Sequence, residues 1–257
     1  MPTIDANGLT VAYETAGTGP PLILLHGAST DARSQFGDLE AYTSLGLRAY
    51  APDARGHSGT RFPVELGLRT TDLADDVVAF AGALGLERWH VLGYSMGGMT
   101  ALHVAARHGA RLLSLVVVSA APEREPRLAV ARALLDPERI AASDPDWAAA
   151  LAARHDPVQG DGAWRRLLPA IVDDVACQPL LGPDELRAID VPTLVVAGDR
   201  DPLVPVQQAA GLARQVRDGR LLILPGVGHD ALDGGAATMH AALADFYRHL
   251  DAEEDPP

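Results

Sequence analysis

Short apolar runs alternate along this chain with longer amphipathic segments, and this alternation limits the fold more than any other feature. Runs such as LILL, LVVV and LVV are apolar throughout, which is typical of strands covered on both faces of a parallel sheet. The predicted strands are 10–15, 22–26, 47–52, 89–93, 114–119, 193–197 and 221–225. The predicted helices between them lie near 34–45, 71–85, 96–109, 205–217 and 235–250. This order predicts a doubly wound α/β fold with a mostly parallel sheet.

The interval 122–190 interrupts the alternation because it contains no convincing strand. Its apolar positions favour helical pieces at 127–135, 146–154, 163–176 and 183–188, separated by Pro and Gly. A loop of this length is uncommon in a compact domain. We therefore predict a helical cap at 122–190, inserted into a core domain made of 1–121 and 191–257. The alternative is that two weak strands are hidden in the interval.

The composition is typical of a soluble globular protein. The length of 257 residues suits one large α/β domain with a small insertion, and 47% hydrophobic with 21% charged residues excludes disordered and fibrous chains. No apolar run approaches the roughly 20 residues of a membrane helix. The N-terminus shows no basic and apolar pattern of a secretory signal, and Cys177 is the only cysteine, so no intramolecular disulfide is expected. We therefore expect a cytoplasmic location.

The net charge of −13 disfavours nucleic acid and anionic membranes as partners, because their phosphates would be repelled. A small-molecule substrate is expected instead. The histidines lack metal-ligand spacing such as H-E-x-x-H, so we predict neither a metal nor a cofactor. Nothing in the pattern indicates an oligomeric state.

Residues 93–97 have the sequence G-Y-S-M-G, between a predicted strand and a predicted helix. A serine on such a strained turn stands clear of the sheet, and side chains at Gly93 or Gly97 would collide with the neighbouring strand and helix. The N-terminus of the following helix favours developing negative charge. The pattern alone is weak and could be a plain Gly-rich turn, but its position after an apolar strand predicts that Ser95 is a nucleophile.

Two further candidate groups follow later predicted strands. His229 ends a G-V-G-H loop after 221–225, and Asp199 and Asp201 lie in a G-D-R-D loop after 193–197. Open α/β sheets place their sites at the carboxyl ends of strands, so these loops are expected to meet near Ser95. A histidine there can serve as a general base, and an acid can hold its ring in the required tautomer.

Four motifs occur in order: His26-Gly27-Ala28 after a strand, DARGHSG at 53–59, the Ser95 turn, and the Asp and His loops. In these motifs the chain resembles the α/β-hydrolase superfamily, close to its small capped esterases, lactonases and C–C hydrolases. The resemblance covers essentially the whole chain except the cap. It implies the α/β-hydrolase fold and a catalytic triad in the chain order Ser, Asp, His.

The resemblance also implies roles for single residues. Ser95 would be the nucleophile and His229 the base. The acid in related enzymes usually ends a G-x-x-D motif, which selects Asp201, while Asp199 and Glu123 remain alternatives.

The oxyanion hole implied by the resemblance consists of the backbone N–H groups of Ala28 and Met96. His26 would shape the loop that contains Ala28, whereas His57 is expected to be structural. The substrate would lie between Ser95 and the cap. Candidate contacts are Tyr94, Trp147 and Trp164, although the two tryptophans are also typical of the core of small helices. A solvated helix face is the favoured interpretation of Arg165 and Arg166.

The predicted function is hydrolysis of a small or medium carboxylic ester or lactone through an acyl-serine intermediate. One alternative is non-ester chemistry with the same Ser-His pair, as in C–C bond hydrolases, lyases, cofactor-free peroxidases or tailoring cyclases. A more remote alternative is a receptor-like ligand-binding protein.

Overall fold

The computed structural model describes residues 1–254, with the side chains of 1–250. Its centre is an eight-stranded sheet. The strands are β1 (Thr3–Ala6), β2 (Leu9–Ala16), β3 (Pro21–Leu25), β4 (Arg48–Pro52), β5 (Trp89–Tyr94), β6 (Leu112–Val118), β7 (Thr193–Gly198) and β8 (Gly219–Leu224). They are ordered β1-β2-β4-β3-β5-β6-β7-β8, and only the pairs that involve β2 are antiparallel. The predicted mostly parallel α/β sheet is confirmed.

Helices cover both faces of the sheet. They are α1 (Ala32–Phe36), α2 (Glu40–Thr43), α3 (Thr70–Ala83), α4 (Met96–His108), α5 (Arg127–Leu134), α6 (Pro137–Ser143), α7 (Pro145–Gln159), α8 (Ala163–Cys177), α9 (Pro183–Arg187), α10 (Val206–Gln215), α11 (Ala231–Gly234) and α12 (Ala236–Glu254). The core on one face includes side chains of α3, α4 and α10, and the core on the other includes side chains of α1, α2, α11 and α12. This arrangement explains why the central strands are apolar at every position.

Strand β3 illustrates the two-sided burial. Ile23 and Leu25 belong to the first core, whereas Leu22 and Leu24 belong to the second, and all four are buried. Each such side chain contributes about 1.5–3 kcal/mol relative to leaving it exposed. The sheet is therefore held rigidly beneath the loops at its carboxyl edge.

Two local expectations need correction. Strand β1 was not predicted, because it has only four residues and two of them are exposed polar residues. The predicted single helix at 34–45 is wrong. Gly37 and Leu39 adopt φ values of 63° and 68°, which break the helical path and leave the two short helices α1 and α2.

Between β6 and β7 the described chain contains helices α5 to α9 and no strand. Side chains of α6, α7 and α8 pack with residues of the 64–73 segment into a third apolar cluster, and Ala28 and Met96 lie against that cluster. Helix α6 was not predicted. The division into a core and a cap at 122–190 stays a prediction. Within residues 1–254, no helix combines the length and apolarity needed to cross a bilayer.

Candidate active site

Ser95 lies between the end of β5 and the start of α4, with φ 53° and ψ −111°. A side chain rarely tolerates these angles, so the turn is strained. The neighbouring glycines make the strained turn possible. A Cβ at Gly93 would lie 2.1 Å from the carbonyl oxygen of Gly97, and a Cβ at Gly97 would lie 2.1 Å from that of Leu25. The glycine spacing predicted from the sequence therefore has a steric cause.

Backbone hydrogen bonds hold this turn against two other strands. The Ser95 N–H donates to Val118 O over 2.9 Å, and the Gly97 N–H donates to His26 O over 3.1 Å. The nucleophile candidate is thus fixed between the ends of β6 and β3. Its position is determined by the main chain and not by the packing of its own side chain.

The hydroxyl of Ser95 meets His229, and His229 in turn meets Asp201. Ser95 Oγ lies 2.9 Å from His229 Nε2, and His229 Nδ1 lies 2.8 Å from Asp201 Oδ2. A carboxylate can only accept, so Nδ1 donates to Asp201 and Nε2 of the neutral ring accepts from the serine. The structure brings the three predicted residues into one chain of hydrogen bonds.

The Asp201 side chain is fully buried and fixed by its own loop. Its second oxygen accepts from the N–H groups of Leu203 (2.8 Å) and Val204 (3.1 Å). Asp199 has a different position, because its carboxylate accepts from the Gly226 N–H over 2.6 Å. Among the described contacts of His229, Asp201 is therefore the bonded carboxylate, and neither Asp199 nor Glu123 takes that place.

Ser119 is a residue that the sequence analysis missed. Its hydroxyl donates to His229 O over 2.7 Å, and its N–H donates to Val196 O over 2.8 Å. It directly follows β6 with φ 51°. Ser119 therefore ties the main chain of the histidine loop to the sheet. The available signal was a small polar residue placed directly after the buried run LVVV.

Ala28 and Met96, the two predicted backbone donors to an oxyanion, lie at the cavity that contains Ser95. Among the described turn, loop and side-chain hydrogen bonds, none is donated by the N–H of either residue. Met96 begins α4, so its N–H has no partner within the helix. Both donors predicted from the resemblance are thus available at the cavity.

His26 and His57 are also buried, and neither belongs to the Ser95–His229 pair. The Ala54 N–H donates to His26 Nε2 over 2.9 Å, so His26 Nδ1 carries the proton that is donated to Gly27 O over 2.7 Å. This links the loop of Ala28 to the DARGHSG loop. His57 is fully buried, and burial holds its pKa well below the usual range. Burial also lowers the pKa of His26, so burial favours the neutral form of both rings.

The cavity at Ser95 is small, with a volume of about 60 Å³. One wall comes from the core and the rest from α5, α8 and the segment before α3. Besides Ala28, Ser95 and Met96, the lining consists of Leu68, Thr70, Met99, Arg127, Ala131, Leu135, Ile171, Asp174, Val175, Gln178 and Leu203. The sequence analysis singled out none of the lining residues from α5 and α8. Nothing in a linear pattern marks which face of an inserted helix turns to the site.

The three candidate substrate contacts lie outside this lining. Tyr94 is buried, its ring centroid 5.5 Å from that of His229. Trp164 is buried in the third apolar cluster, and Trp147 packs against that cluster. Contact of these rings with a substrate stays a prediction. The Arg165 and Arg166 side chains are partly exposed and form ion pairs with Glu138 and Glu65.

Comparison with known proteins gives the family. The family model described as "Alpha/beta hydrolase family" matches residues 22–246. The chain belongs to this family. This match covers β3 to α12, including every strand that positions Ser95, Asp201 and His229. The protein is therefore a hydrolase of the α/β-hydrolase family.

The names of similar proteins indicate different reactions. A non-heme haloperoxidase from Rhodococcus erythropolis is 29% identical, covering 96% of this chain and 99% of that protein. A 2-hydroxymuconate semialdehyde hydrolase from Pseudomonas putida is 27% identical, covering 98% and 96%. The solved structure of Est816, an N-acyl homoserine lactone degrading enzyme, is 25% identical with a TM-score of 0.75, covering 95% and 100%. These similarities leave the substrate class open.

Proposed function

We propose that the protein is a serine hydrolase that cleaves a small or medium carboxylic ester or lactone through an acyl-Ser95 intermediate. The observation that carries this proposal is the continuous chain of hydrogen bonds from Ser95 Oγ through His229 to Asp201. A general base within hydrogen-bond reach of a hydroxyl, and itself oriented by a third group, is the arrangement that activates a serine.

In the first step His229 Nε2 takes the hydroxyl proton while Ser95 Oγ forms a bond to the acyl carbon. The carbonyl oxygen becomes a tetrahedral oxyanion, which the N–H groups of Ala28 and Met96 stabilise. Removing one such donor costs about 3 kcal/mol in a well-studied protease. Asp201 stabilises the imidazolium that forms and keeps Nδ1 protonated.

In the second step the imidazolium gives its proton to the leaving oxygen, and the bond between that oxygen and the acyl carbon breaks. Water then takes the place of the serine hydroxyl. His229 removes a proton from the water while the water oxygen forms a bond to the acyl carbon. The bond between the acyl carbon and Ser95 Oγ then breaks, and the imidazolium returns the proton to Ser95 Oγ. The products are an acid and an alcohol, or a hydroxy acid when the substrate is a lactone.

The lactone-degrading activity named for Est816 supports an ester or lactone as substrate. Two other relatives support a second candidate, in which the same Ser-His pair performs non-ester chemistry. One is named a non-heme haloperoxidase and the other a semialdehyde hydrolase. An enzyme inert to simple esters and to fluorophosphonate labelling, with Ser95 intact, would favour this second candidate.

Purified protein tests the proposal directly. We expect turnover of p-nitrophenyl acetate or butyrate and a fall of about 10³-fold or more in kcat for Ser95→Ala. Ser44→Ala is a matched control, because the exposed Ser44 hydroxyl also lies near a histidine nitrogen, 3.1 Å from His240 Nε2. An unchanged rate in Ser95→Ala would overturn the proposal.

A further inference from the structure

A buried guanidinium without a partner lies in the cavity at Ser95. Arg127 begins α5, lines the cavity and is only 8% exposed. Its Nε and Nη2 atoms are buried without a hydrogen-bond partner. Within the part of the chain that the structure describes, Arg127 forms no ion pair and donates no hydrogen bond. Such an arrangement is rare, because buried charges are normally paired.

The guanidinium keeps its charge at neutral pH. Burial lowers the pKa of Arg127 to about 10, while the carboxylate of Asp174 acts in the opposite direction. A buried cation without a hydrogen-bonded partner destabilises the folded state. A fold tolerates that cost where the charge binds something that comes from outside the chain.

Two charged neighbours of Arg127, Asp174 and Arg124, are engaged elsewhere, whereas a third, Glu123, has an Oε2 atom that is itself buried without a hydrogen-bond partner. Asp174 accepts from the Thr70 N–H over 2.8 Å and from the Thr70 hydroxyl over 2.6 Å. Arg124, three residues before Arg127, donates to Val175 O over 3.3 Å and to Gln178 O over 3.0 Å. Arg124 therefore fastens this segment to α8, whereas Arg127 has no such structural task.

We propose that Arg127 binds a carboxylate of the substrate, so that the ester or lactone cleaved at Ser95 carries a free carboxylate on its acyl side. The inference rests on the proposed function, because it assigns the substrate class of that same site. A guanidinium presents two parallel N–H groups that match the two oxygens of a carboxylate. A singly charged carboxylate is favoured over a doubly charged phosphate because Asp174 lines the same cavity and repels additional negative charge.

A matched pair of esters tests this assignment. Mono-p-nitrophenyl adipate and p-nitrophenyl hexanoate have acyl chains of equal length, and only the first ends in a carboxylate. We expect the wild type to prefer the adipate ester in kcat/KM, after the spontaneous rate is subtracted. Arg127→Gln should lower the ratio of the two kcat/KM values by about 10- to 100-fold, mainly through KM for the adipate ester.

Two further variants control the result. Arg127→Lys keeps a positive charge but lacks the two parallel N–H groups of a guanidinium, so it should retain part of the preference. Arg132→Gln removes an exposed arginine of the same helix, which does not line the cavity, and should leave the ratio unchanged. A ratio that Arg127→Gln does not change would overturn the inference. If Arg127→Gln does not fold, as judged by circular dichroism, a wild type without preference for the adipate ester overturns it.

The inference and the proposed function fail in different ways. Ser95-dependent cleavage of the neutral ester, without preference for the anionic one, overturns the inference alone. Cleavage of neither ester overturns the proposed function. In that case, calorimetric titration of Ser95→Ala with monoethyl adipate decides the role of Arg127. Binding that weakens at least tenfold when Arg127→Gln is added supports the carboxylate site, and equal or absent binding overturns it.

Discussion

The turn at Ser95 and the helical segment that supplies Arg127 are two parts of one cavity, but they are built differently. The turn is held by main-chain hydrogen bonds and by glycines at which a Cβ would strike a backbone oxygen. The segment is held by hydrogen bonds of side chains. Arg124 donates to the carbonyl oxygen of Gln178 at the end of α8, and Asp174 accepts from the N–H of Thr70. Few substitutions are tolerated at the glycines that define the Ser95 turn. In the wall formed by side chains, by contrast, one substitution can change which ligand the cavity binds.

The largest effect on activity is expected for a substitution of Asp201, which meets His229 next to the Ser95 turn. Asp201→Asn should lower kcat by about 10⁴-fold, as the equivalent change does in a serine protease, because an amide allows the wrong imidazole tautomer. Asp199→Asn is the matched control, since its side-chain oxygen can still accept from Gly226. Ester hydrolysis under substrate saturation measures both. Similar losses in the two variants would contradict the assignment of Asp201.

Gly97→Ala disturbs the main chain of the Ser95 turn. The new Cβ would lie 2.1 Å from Leu25 O, so the turn has to shift, and we expect several kcal/mol less stability together with a loss of activity. Gly82→Ala is the control within α3, where a Cβ meets nothing within 4 Å. It should raise the free energy of unfolding by about 0.5–1 kcal/mol. Urea unfolding measures both, and a fully stable, active Gly97→Ala would refute the steric explanation.

A pH series examines the contact between α7 and the loop at 53–59. His155 of α7 is buried, accepts from the Ser58 N–H over 3.1 Å, and has a pKa lowered to about 4 by burial. Between pH 6.5 and about 4 the unfolded chain binds the proton and the folded chain does not. Stability therefore falls as the pH falls through this window, by about 3 kcal/mol for this group when the shift is complete.

Urea midpoints at pH 7.5 and pH 5 measure this dependence. His155→Gln should make it smaller, whereas His249→Gln, which replaces an exposed histidine of α12, should leave it as in the wild type. An equal pH dependence in all three proteins would contradict the assignment to His155.

The smallest effect is expected at Ser119, which connects the histidine loop to the sheet. Ser119→Ala leaves His229 O without its donor and should cost about 1 kcal/mol of stability. A less firmly held imidazole should lower kcat by about fivefold, the rate equivalent of about 1 kcal/mol. A kcat unchanged in Ser119→Ala would show that the loop is held by other contacts.

Prediction from the sequence succeeded where a pattern has a local steric or periodic cause. The apolar runs predict the central strands, since a strand covered on both faces must be apolar at every position. Strand β1 was missed although Asn7-Gly8, with φ 49° and 75°, is a hairpin turn that the sequence shows. The helix at 34–45 failed because the break at Leu39 is imposed by tertiary packing, in which Leu39 is buried.

The sequence by itself determined the α/β sheet and the strand-turn-helix at Ser95, because apolar periodicity and glycine spacing express contacts between near neighbours. It also placed His229 and two aspartates at the same edge of the sheet. The family resemblance favoured Asp201 over Asp199, whereas only the tertiary structure decided that Ser119 holds the histidine loop and that Arg127 lines the cavity. These choices depend on contacts between distant segments, and a single Arg, Asp or Ser looks the same in the sequence whether it faces solvent or a site.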